Sequence, residues 1–559
     1  LVSAPVYYSR QAVFAIAHAA CLLFALSPFD LWPLGFCAPL VLLLAADEQR
    51  EKGLKQILLG SLIFSFATTA VTFGWIFATI WRYSAQNAVL SLALSVLYAV
   101  IFQLKFPLVF LMLRAGRLTL RQHWFAPLAV AAAIALGDAL APELFPWSWG
   151  NGIAAEAHLR QLAAFGSVYL MSFCASLAAS VFLCLWFKRR EAFLPALRTQ
   201  RWPLTVLAAT LACAIIYRYV PATESQVQPL RVAIVQTNIG AAASGKSSDA
   251  DFASEAINRL FGQSAEALQL YAPLDLLLWP EAAMPFHSAA PDAANRDIYS
   301  VTFDGALEYL RRRAGVAVIF HDMYKERSEL RSRLSVRGAG DQRADSYFKR
   351  RLVPWGEYLP FGSRRWFPEA GKFTAAAGSE TEIDLALPQL GGKLSYGQLA
   401  AEVALVQQPQ VLRQRFEPPA AQRTLRIKPL LCYEALYPAD GRTGTADVII
   451  NLASDAWFGD GIEGAQHASA TMLRAVENGR PMLRAAMSGI SFAVNYRGDE
   501  LVPRTGQGRP ELLFAEVPLA TRKTPFSRLG MLVFYALMLA ALWPFILYRL
   551  MPSHNEENK

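Results

Sequence analysis

Eight long apolar runs constrain this chain more than any other feature, seven of them before residue 220 and one after residue 528. We read them as spans at 11–29, 33–46, 57–81, 87–113, 126–141, 161–187, 202–219 and 529–548. Most carry the roughly 17 to 25 apolar residues that a bilayer core demands. The second and fifth are short, and tilt, a kink or their flanks would make up the length. Inside hydrocarbon every backbone N–H and C=O needs an internal partner, so such runs must be helical. The charged share is 17% of residues, against about 25% in an ordinary soluble domain, which is what a chain largely in lipid requires.

Basic residues orient the bundle. Arg50, Lys52 and Lys55 follow the second span, Arg114, Arg117 and Arg121 the fourth, and Lys188, Arg189, Arg190, Arg198 and Arg201 the sixth. The alternate loops are poor in them, with Arg82 after the third span and Arg160 after the fifth. Positive loops stay cytoplasmic, which puts both termini there and residues 220–528 on the opposite face. Much of the net charge of +9 lies in these loops, so we expect no nucleic-acid partner. The first span has no evident small-residue cleavage site and runs through Trp32-Pro33 into the second, so it reads as an anchor rather than a signal peptide.

Between the last two spans the composition turns globular, over a stretch long enough for one substantial core. Short apolar runs at 231–236, 274–279, 316–320, 427–432 and 448–452 have strand character. Segments 254–271, 303–313 and 465–478 repeat apolar residues at helical spacing. Strands alternating with helices define an α/β layered sheet with helices on its faces. Small polar residues make 240–254 a loop.

Five cysteines, Cys21, Cys37, Cys174, Cys184 and Cys213, lie in the apolar runs, where Cys acts as a small hydrophobe. Cys432 alone lies outside them, at the end of a strand-like run. The same stretch holds Glu281, in Trp279-Pro280-Glu281, and Lys349, in Tyr347-Phe348-Lys349. A cysteine hydrolase or acyltransferase needs a thiolate, a group to take and return its proton, and positive charge where the oxyanion develops. A free thiol titrates near ~8.5, so Glu281 would be the base and Lys349 the stabiliser; spacing alone leaves open whether the three meet. The histidines are scattered, there is no HExxH or phosphate-binding glycine loop, and His321-Asp322 is a weak pair. We therefore expect neither metal nor cofactor.

At these residues the chain resembles the nitrilase superfamily and, more narrowly, the apolipoprotein N-acyltransferases. The resemblance rests on Trp279 to Pro285 (WPEAAMP), Lys349 to Pro360 (KRRLVPWGEYLP), Cys432-Tyr433-Glu434, Asn451 to Asp460 (NLASDAWFGD), Gln466-His467, Arg474 to Arg484 and the early Pro28-Phe29-Asp30-Leu31-Trp32-Pro33. It implies a multispan α-helical membrane bundle of eight helices plus an extramembrane αββα sandwich. The domains would be 1–219, with seven spans; 220–528, a nitrilase-like catalytic domain; and 529–559, the last span and a cytoplasmic tail.

The implied reaction has two halves. Cys432 attacks an acyl ester of a phospholipid, and the α-amine of a lipoprotein's N-terminal diacylglyceryl-cysteine then takes the acyl group, at the outer face of a bacterial inner membrane. Glu281 and Lys349 match the family's base and lysine. Glu357 and Glu434 match supporting acids, with Glu357 holding Lys349, and Tyr433, Trp457 and Phe458 match residues near the acyl chain or lid.

The chain departs from the family at 237–239, where no Trp follows, and at Met487-Ser488-Gly489, where Asn is expected. No Tyr-Asn pair precedes Lys349, and an apparent insertion spans 388–419, with Tyr396, Leu399, Ala400 and Val403 at helical spacing. Two other readings stand beside this one: a membrane-tethered nitrilase-type amidase using the same three residues with water as acceptor, and a non-catalytic membrane scaffold or transporter with a degenerate domain. The spans carry few charges besides Lys105 and Asp138, which weighs against an ion pathway.

Overall fold

The computed structural model describes residues 4–550 apart from 50–51, 85–86, 117–119, 121–122, 189–192, 224–227, 240–249, 284–286, 290–297, 327–328, 340–345, 360–370, 372, 377–381, 389–396, 398–410 and 412–419. The chain divides into two compact units. One holds Leu1–Trp81, Gln86–Val220 and Thr524–Lys559; the other holds Arg82–Ala85 and Pro221–Lys523.

The first unit is helical. Among the described residues, six helices are long and apolar enough to cross a membrane: Val6–Ala25, Leu54–Val71, Ala88–Ala115, Leu159–Lys188, Arg201–Tyr219 and Leu532–Leu550. Ala126–Leu140 is apolar but shorter, and the run at 33–46 becomes Leu34–Gln49, with Pro39 inside it. Two expected spans are broken. The third splits into Leu54–Val71 and Trp75–Tyr83, where the Thr72 hydroxyl donates to the Ala19 carbonyl at 2.9 Å. The fourth is interrupted between Phe102 and Lys105, and the Gln103 carbonyl accepts the Ser65 hydroxyl at 3.2 Å as well as the Phe106 N–H at 3.3 Å.

That second break starts a new helix at Lys105, whose side chain is fully buried. Its ammonium donates to Asp138 Oδ1 at 2.8 Å and to the Trp147 carbonyl, pairs with Glu143, and lies 3.7 Å from the centre of the Trp147 ring. Asp138 Oδ2 in turn accepts the Ser172 hydroxyl at 2.6 Å. A cation costly to desolvate is here balanced by two carboxylates and an aromatic face.

The second unit is a two-sheet sandwich. Its strands are β1 (Leu230–Gln236), β2 (Leu276–Leu278), β3 (His287–Ala289), β4 (Ala317–Glu326), β5 (Glu329–Arg337), β6 (Ser346–Phe348), β7 (Ile383–Pro388), β8 (Ala421–Leu431), β9 (Val448–Ala453), β10 (Met482–Ala486), β11 (Phe492–Val494) and β12 (Glu511–Val517). One sheet runs β12-β1-β2-β4-β5-β6 with β3 also on β4; the other runs β11-β10-β9-β8-β7. Each is parallel at its centre, β1 with β2 and β4, β8 with β9 and β10, and antiparallel outside.

Strand periodicity explains the layering, since successive side chains face opposite ways. Leu230, Val232 and Ile234 of β1 share a core with Ile427, Ile450 and Leu483 of the other sheet. Ala233 and Val235 turn away, onto Leu260, Phe261 and Leu310 of the helices Ala250–Tyr271 and Ile298–Ala314. Ile449 and Met482 likewise meet Ala468 and Met472 of the helix Glu463–Asn478. The parallel strands are thus buried on both faces, which is why they read as continuous apolar runs.

Several expected boundaries move. The strand at 316–320 continues to Glu326, and the one at 427–432 begins at Ala421 and stops before Cys432. Residues 250–254, read as loop, open a helix instead, and 240–249 lie outside the described residues. Of the insertion at 388–419, Pro388 closes β7 and nearly all the rest, Tyr396, Leu399, Ala400 and Val403 included, lies outside the described residues.

Candidate active site

Four strand ends supply the site. Glu281 follows β2, Lys349 follows β6, Cys432 follows β8 and Ser454 follows β9. Cys432 opens the 3-10 turn Cys432–Leu436 with φ +50°, a left-handed conformation that a side chain adopts only when its surroundings enforce it. Ala282, directly after Glu281, has φ +58°. Its N–H donates to His321 Nδ1 at 3.1 Å, while His321 Nε2 lies 2.9 Å from the Ser332 hydroxyl. His321 therefore braces the Glu281 turn, a role that nothing in its sequence neighbourhood marked beyond a weak pairing with Asp322.

The structure brings Glu281, Lys349 and Cys432 together. The Lys349 ammonium, 1% exposed, donates to Glu281 Oε1 at 3.0 Å and to Glu357 Oε1 at 2.7 Å. The Cys432 thiol hydrogen-bonds the Glu281 carboxylate. The Ser454 N–H reaches both groups, lying 3.1 Å from Glu281 Oε2 and bonding Cys432 Sγ.

Burial and charge set the protonation pattern. Burial opposes ionisation of Glu281, but the Lys349 charge outweighs it and holds the carboxyl below its usual range. Burial, and then the neighbouring Glu281 charge, push the Cys432 thiol well above its ordinary value. Burial disfavours the Lys349 ammonium, yet Glu281 and Glu357 together raise its pKa well above normal. Glu357 itself is raised, by burial first and by Glu281, against the pull of Lys349. The resting arrangement is thiol, carboxylate and ammonium, with a base already on the proton it would remove.

Glu434 is placed differently. Its carboxylate accepts the Tyr347 hydroxyl at 3.1 Å and the N–H groups of Arg350 at 2.8 Å, Arg351 at 3.1 Å and Leu431 at 2.9 Å. It clamps the Lys349 segment to the Cys432 turn rather than facing the thiol. Tyr433 donates its hydroxyl to the Leu352 carbonyl at 3.3 Å and packs edge-on to Tyr437. Trp457 lies with its ring 5.2 Å from that of Tyr83, and Phe458 is buried. Behind the turn lie Asn451, Asp455, His467 and Arg484, all buried. Their stretches carried the resemblance, but none of these four side chains was singled out for chemistry. Asp455, Glu463 and His467 bring three ligand-type atoms within 4.8 Å of one another. Arg484 lies 2.8 Å from Asp455, so a cation of the chain already neutralises that carboxylate.

This arrangement of two sheets, with a thiol, a carboxylate and a lysine at their strand ends, agrees with what comparison finds. Residues 231–524 match the family described as Carbon-nitrogen hydrolase, and the chain belongs to that family. Ahead of it, residues 18–181 match the Apolipoprotein N-acyltransferase N-terminal domain, which places the chain in the apolipoprotein N-acyltransferase branch. It is 29% identical over 516 residues to Apolipoprotein N-acyltransferase 1 of Leptospira interrogans serogroup Icterohaemorrhagiae serovar copenhageni, over 86% of this chain and 87% of that protein. To the Apolipoprotein N-acyltransferase of Azotobacter vinelandii it is 28% identical over 526 residues, with 92% and 90% covered. The Pseudomonas putida protein of the same name is 27% identical over 530 residues, with 92% of each chain covered.

Proposed function

We propose that this chain, an acyltransferase of lipoprotein N-acylation, moves an acyl chain from a phospholipid through a thioester on Cys432 to the α-amine of a lipoprotein's N-terminal diacylglyceryl-cysteine. The observation that carries this reading is the contact of the Cys432 thiol with an ionised Glu281 beside the Lys349 ammonium. Glu281 takes the thiol proton as sulfur attacks the ester carbonyl, and the Lys349 charge balances the oxyanion. The C–O bond breaks, and the lysophospholipid leaves with the proton from Glu281. In the second half the amine attacks the thioester, Glu281 takes its proton and returns it to the sulfur, and the thiol is restored. Glu357 holds Lys349, Glu434 joins the two strand ends, and Tyr433, Trp457 and Phe458 flank the acyl group.

The finer topology belongs to the same proposal: eight spans, both termini in the cytoplasm, residues 220–528 on the periplasmic face of a bacterial inner membrane. The basic loops support it. A periplasm-specific reporter inserted within 241–250 is then active, and one fused after Lys559 is silent; the reverse pattern would put the site away from its substrates.

The chemical test is direct. Purified protein incubated with labelled phospholipid gains one acyl mass at Cys432, which an added lipoprotein N-terminal peptide removes. Cys432→Ala gains none. Acylation of the peptide by Cys432→Ala, or release of the acyl group only to water, would overturn the proposal.

A further inference from the structure

The mechanism above leaves unused a buried cation at the back of the nucleophile turn. Arg484 is fully buried on β10, directly opposite Asn451 of β9 in the strand register. Both point to the face of the sheet away from the shared core, because their neighbours Leu483, Ala485, Ile450 and Leu452 fill that core. A guanidinium has five N–H donors in a rigid plane and no acceptor. One arm, Nη1, donates to Asn451 Oδ1 at 2.5 Å. The other, Nη2, donates to Asp455 Oδ2 at 2.8 Å and Oδ1 at 3.1 Å, and lies 3.2 Å from His467 Nδ1. Nε is anchored on the Ile490 carbonyl at 3.2 Å.

Each arm leads to the reacting groups. Because Arg484 can only donate, Asn451 must turn its amide oxygen toward it and its NH2 the other way. That NH2 donates to the carbonyls of Leu430 and Cys432, at 3.2 Å each. These carbonyls flank the point where the chain leaves β8 and enters the left-handed conformation of Cys432. The second arm fixes Asp455, the residue after Ser454, whose N–H holds both Glu281 and the thiol. His467 Nδ1, 2.8 Å from Asp455 Oδ1, secures the same carboxylate from the helix side.

We propose that Arg484 is a positioning residue that sets the distance between nucleophile and base, with Asn451 holding the Cys432 turn and Asp455 holding the Ser454 amide that binds Glu281. The proposal rests on Cys432 being the acylated nucleophile. Arg484 touches neither substrate nor thiol; it acts through the two strand ends it joins. Lysine in its place keeps the charge but loses the planar fork and its Nε anchor on Ile490, and with them the geometry that holds Asn451 and Asp455 from one rigid group.

The test is the rate of acyl-Cys432 formation from labelled phospholipid in detergent-solubilised full-length protein, with kcat and KM separated and thermal unfolding followed in parallel. Arg484→Lys and Asn451→Ala each lower kcat, by roughly 10- to 100-fold for displacements on the order of 1 Å, while KM for phospholipid is unchanged. The double variant loses little more than Arg484→Lys alone, because Asn451 and Arg484 act along one path. If Arg484→Lys does not fold, Asn451→Ala, which removes no charge, carries the test. Folded variants with wild-type kcat, or a lowered melting temperature as the only change, would overturn the proposal. A wild-type protein that forms no acyl-Cys432 would instead overturn the function on which it rests.

Discussion

Two lysines in this molecule are each buried between two carboxylates, and of these two Lys349 also has a thiol beside it. Lys105, in the helical unit, pairs with Asp138 and Glu143; Lys349, in the sandwich, pairs with Glu281 and Glu357. Around Lys105 the bonding is closed. Its ammonium also takes the Trp147 carbonyl and an aromatic face, Ser172 caps Asp138, and the Trp147 N–H caps Glu143 at 3.0 Å. Around Lys349 it is open on one side, because Glu281 accepts from a thiol whose proton can leave. On the function proposed above, the same ion-pair motif acts as a structural rivet around Lys105 and as part of a catalytic centre around Lys349, where one neighbour is a thiol. Burial alone does not distinguish them.

The largest effect that would sharpen this contrast is on stability, in the helical unit. Lys105→Met strands two carboxylates in a dry interior, and breaking a buried pair in this way costs about 3–5 kcal/mol. Adding Asp138→Asn and Glu143→Gln removes the stranded charges and restores most of that loss. Unfolding of detergent-solubilised protein reads both steps. In whatever fraction stays folded, acyl-Cys432 forms at the normal rate. A folded Lys105→Met protein with a much lower rate would show that the helical lysine serves catalysis as well, and the contrast would fail.

In the sandwich the balance is reversed. Lys349→Ala lowers the rate of thioester formation by ~10²–10³, the usual loss for one electrostatic donor in an active site. Glu281→Gln removes the base and costs ~10²–10⁴. Its pH dependence carries a sign. In the native chain Glu281 titrates below its ordinary range, so the rate survives as pH falls through the usual glutamate pKa near ~4.3 and drops only below it. In Glu281→Gln no base remains, and burial still raises the thiol, so alkylation of Cys432 by iodoacetamide should increase only as pH climbs beyond the ordinary thiol range near ~8.5. Rapid alkylation of that variant at neutral pH would mean another group accepts the proton.

The two clusters also differ in what the sequence disclosed. Glu281, Lys349 and Cys432 could be singled out because each ends a strand-like run and together they complete a set of roles. Their meeting was not visible, since Lys349 bonds a residue 68 positions earlier. Strands β1 and β12 show the same limit: they pair across most of the domain, Leu230 opposite Val517, and the short runs of β6, β10 and β11 lack the length to register as periodic. Asn451 and Arg484 were hidden for a different reason. In a strand buried on both faces, a polar residue reads as an interruption until its partner across the sheet is known. In the helical unit, Lys105 and Asp138 were noticed as charges within apolar runs, but Glu143 lay in a connecting loop and drew no attention. The break at Gln103 lies four residues before Pro107, which has no N–H for that carbonyl, and the break at Thr72 lies just before Gly74; neither changes the apolar composition, so average hydropathy does not register them.

The smallest predicted effect bears on whether the Lys105 cluster is sealed. The Ser172 hydroxyl donates to Asp138 Oδ2 at 2.6 Å and accepts the Gly150 N–H at 2.8 Å, and all three residues are buried. Ser172→Ala removes one partner from each without touching an ion pair. If no water replaces the hydroxyl, a carboxylate oxygen and a backbone N–H each lose a buried partner, at a cost of ~1–3 kcal/mol. Acyl-Cys432 formation is expected at the normal rate, since among the described residues Ser172 bonds Asp138, Gly150 and Val168 of the helical unit. An unchanged unfolding transition would mean that water reaches Asp138 and takes over the lost bonds. Lys105 would then sit in a hydrated pocket rather than a saturated one, and saturation could no longer be the property that separates it from Lys349.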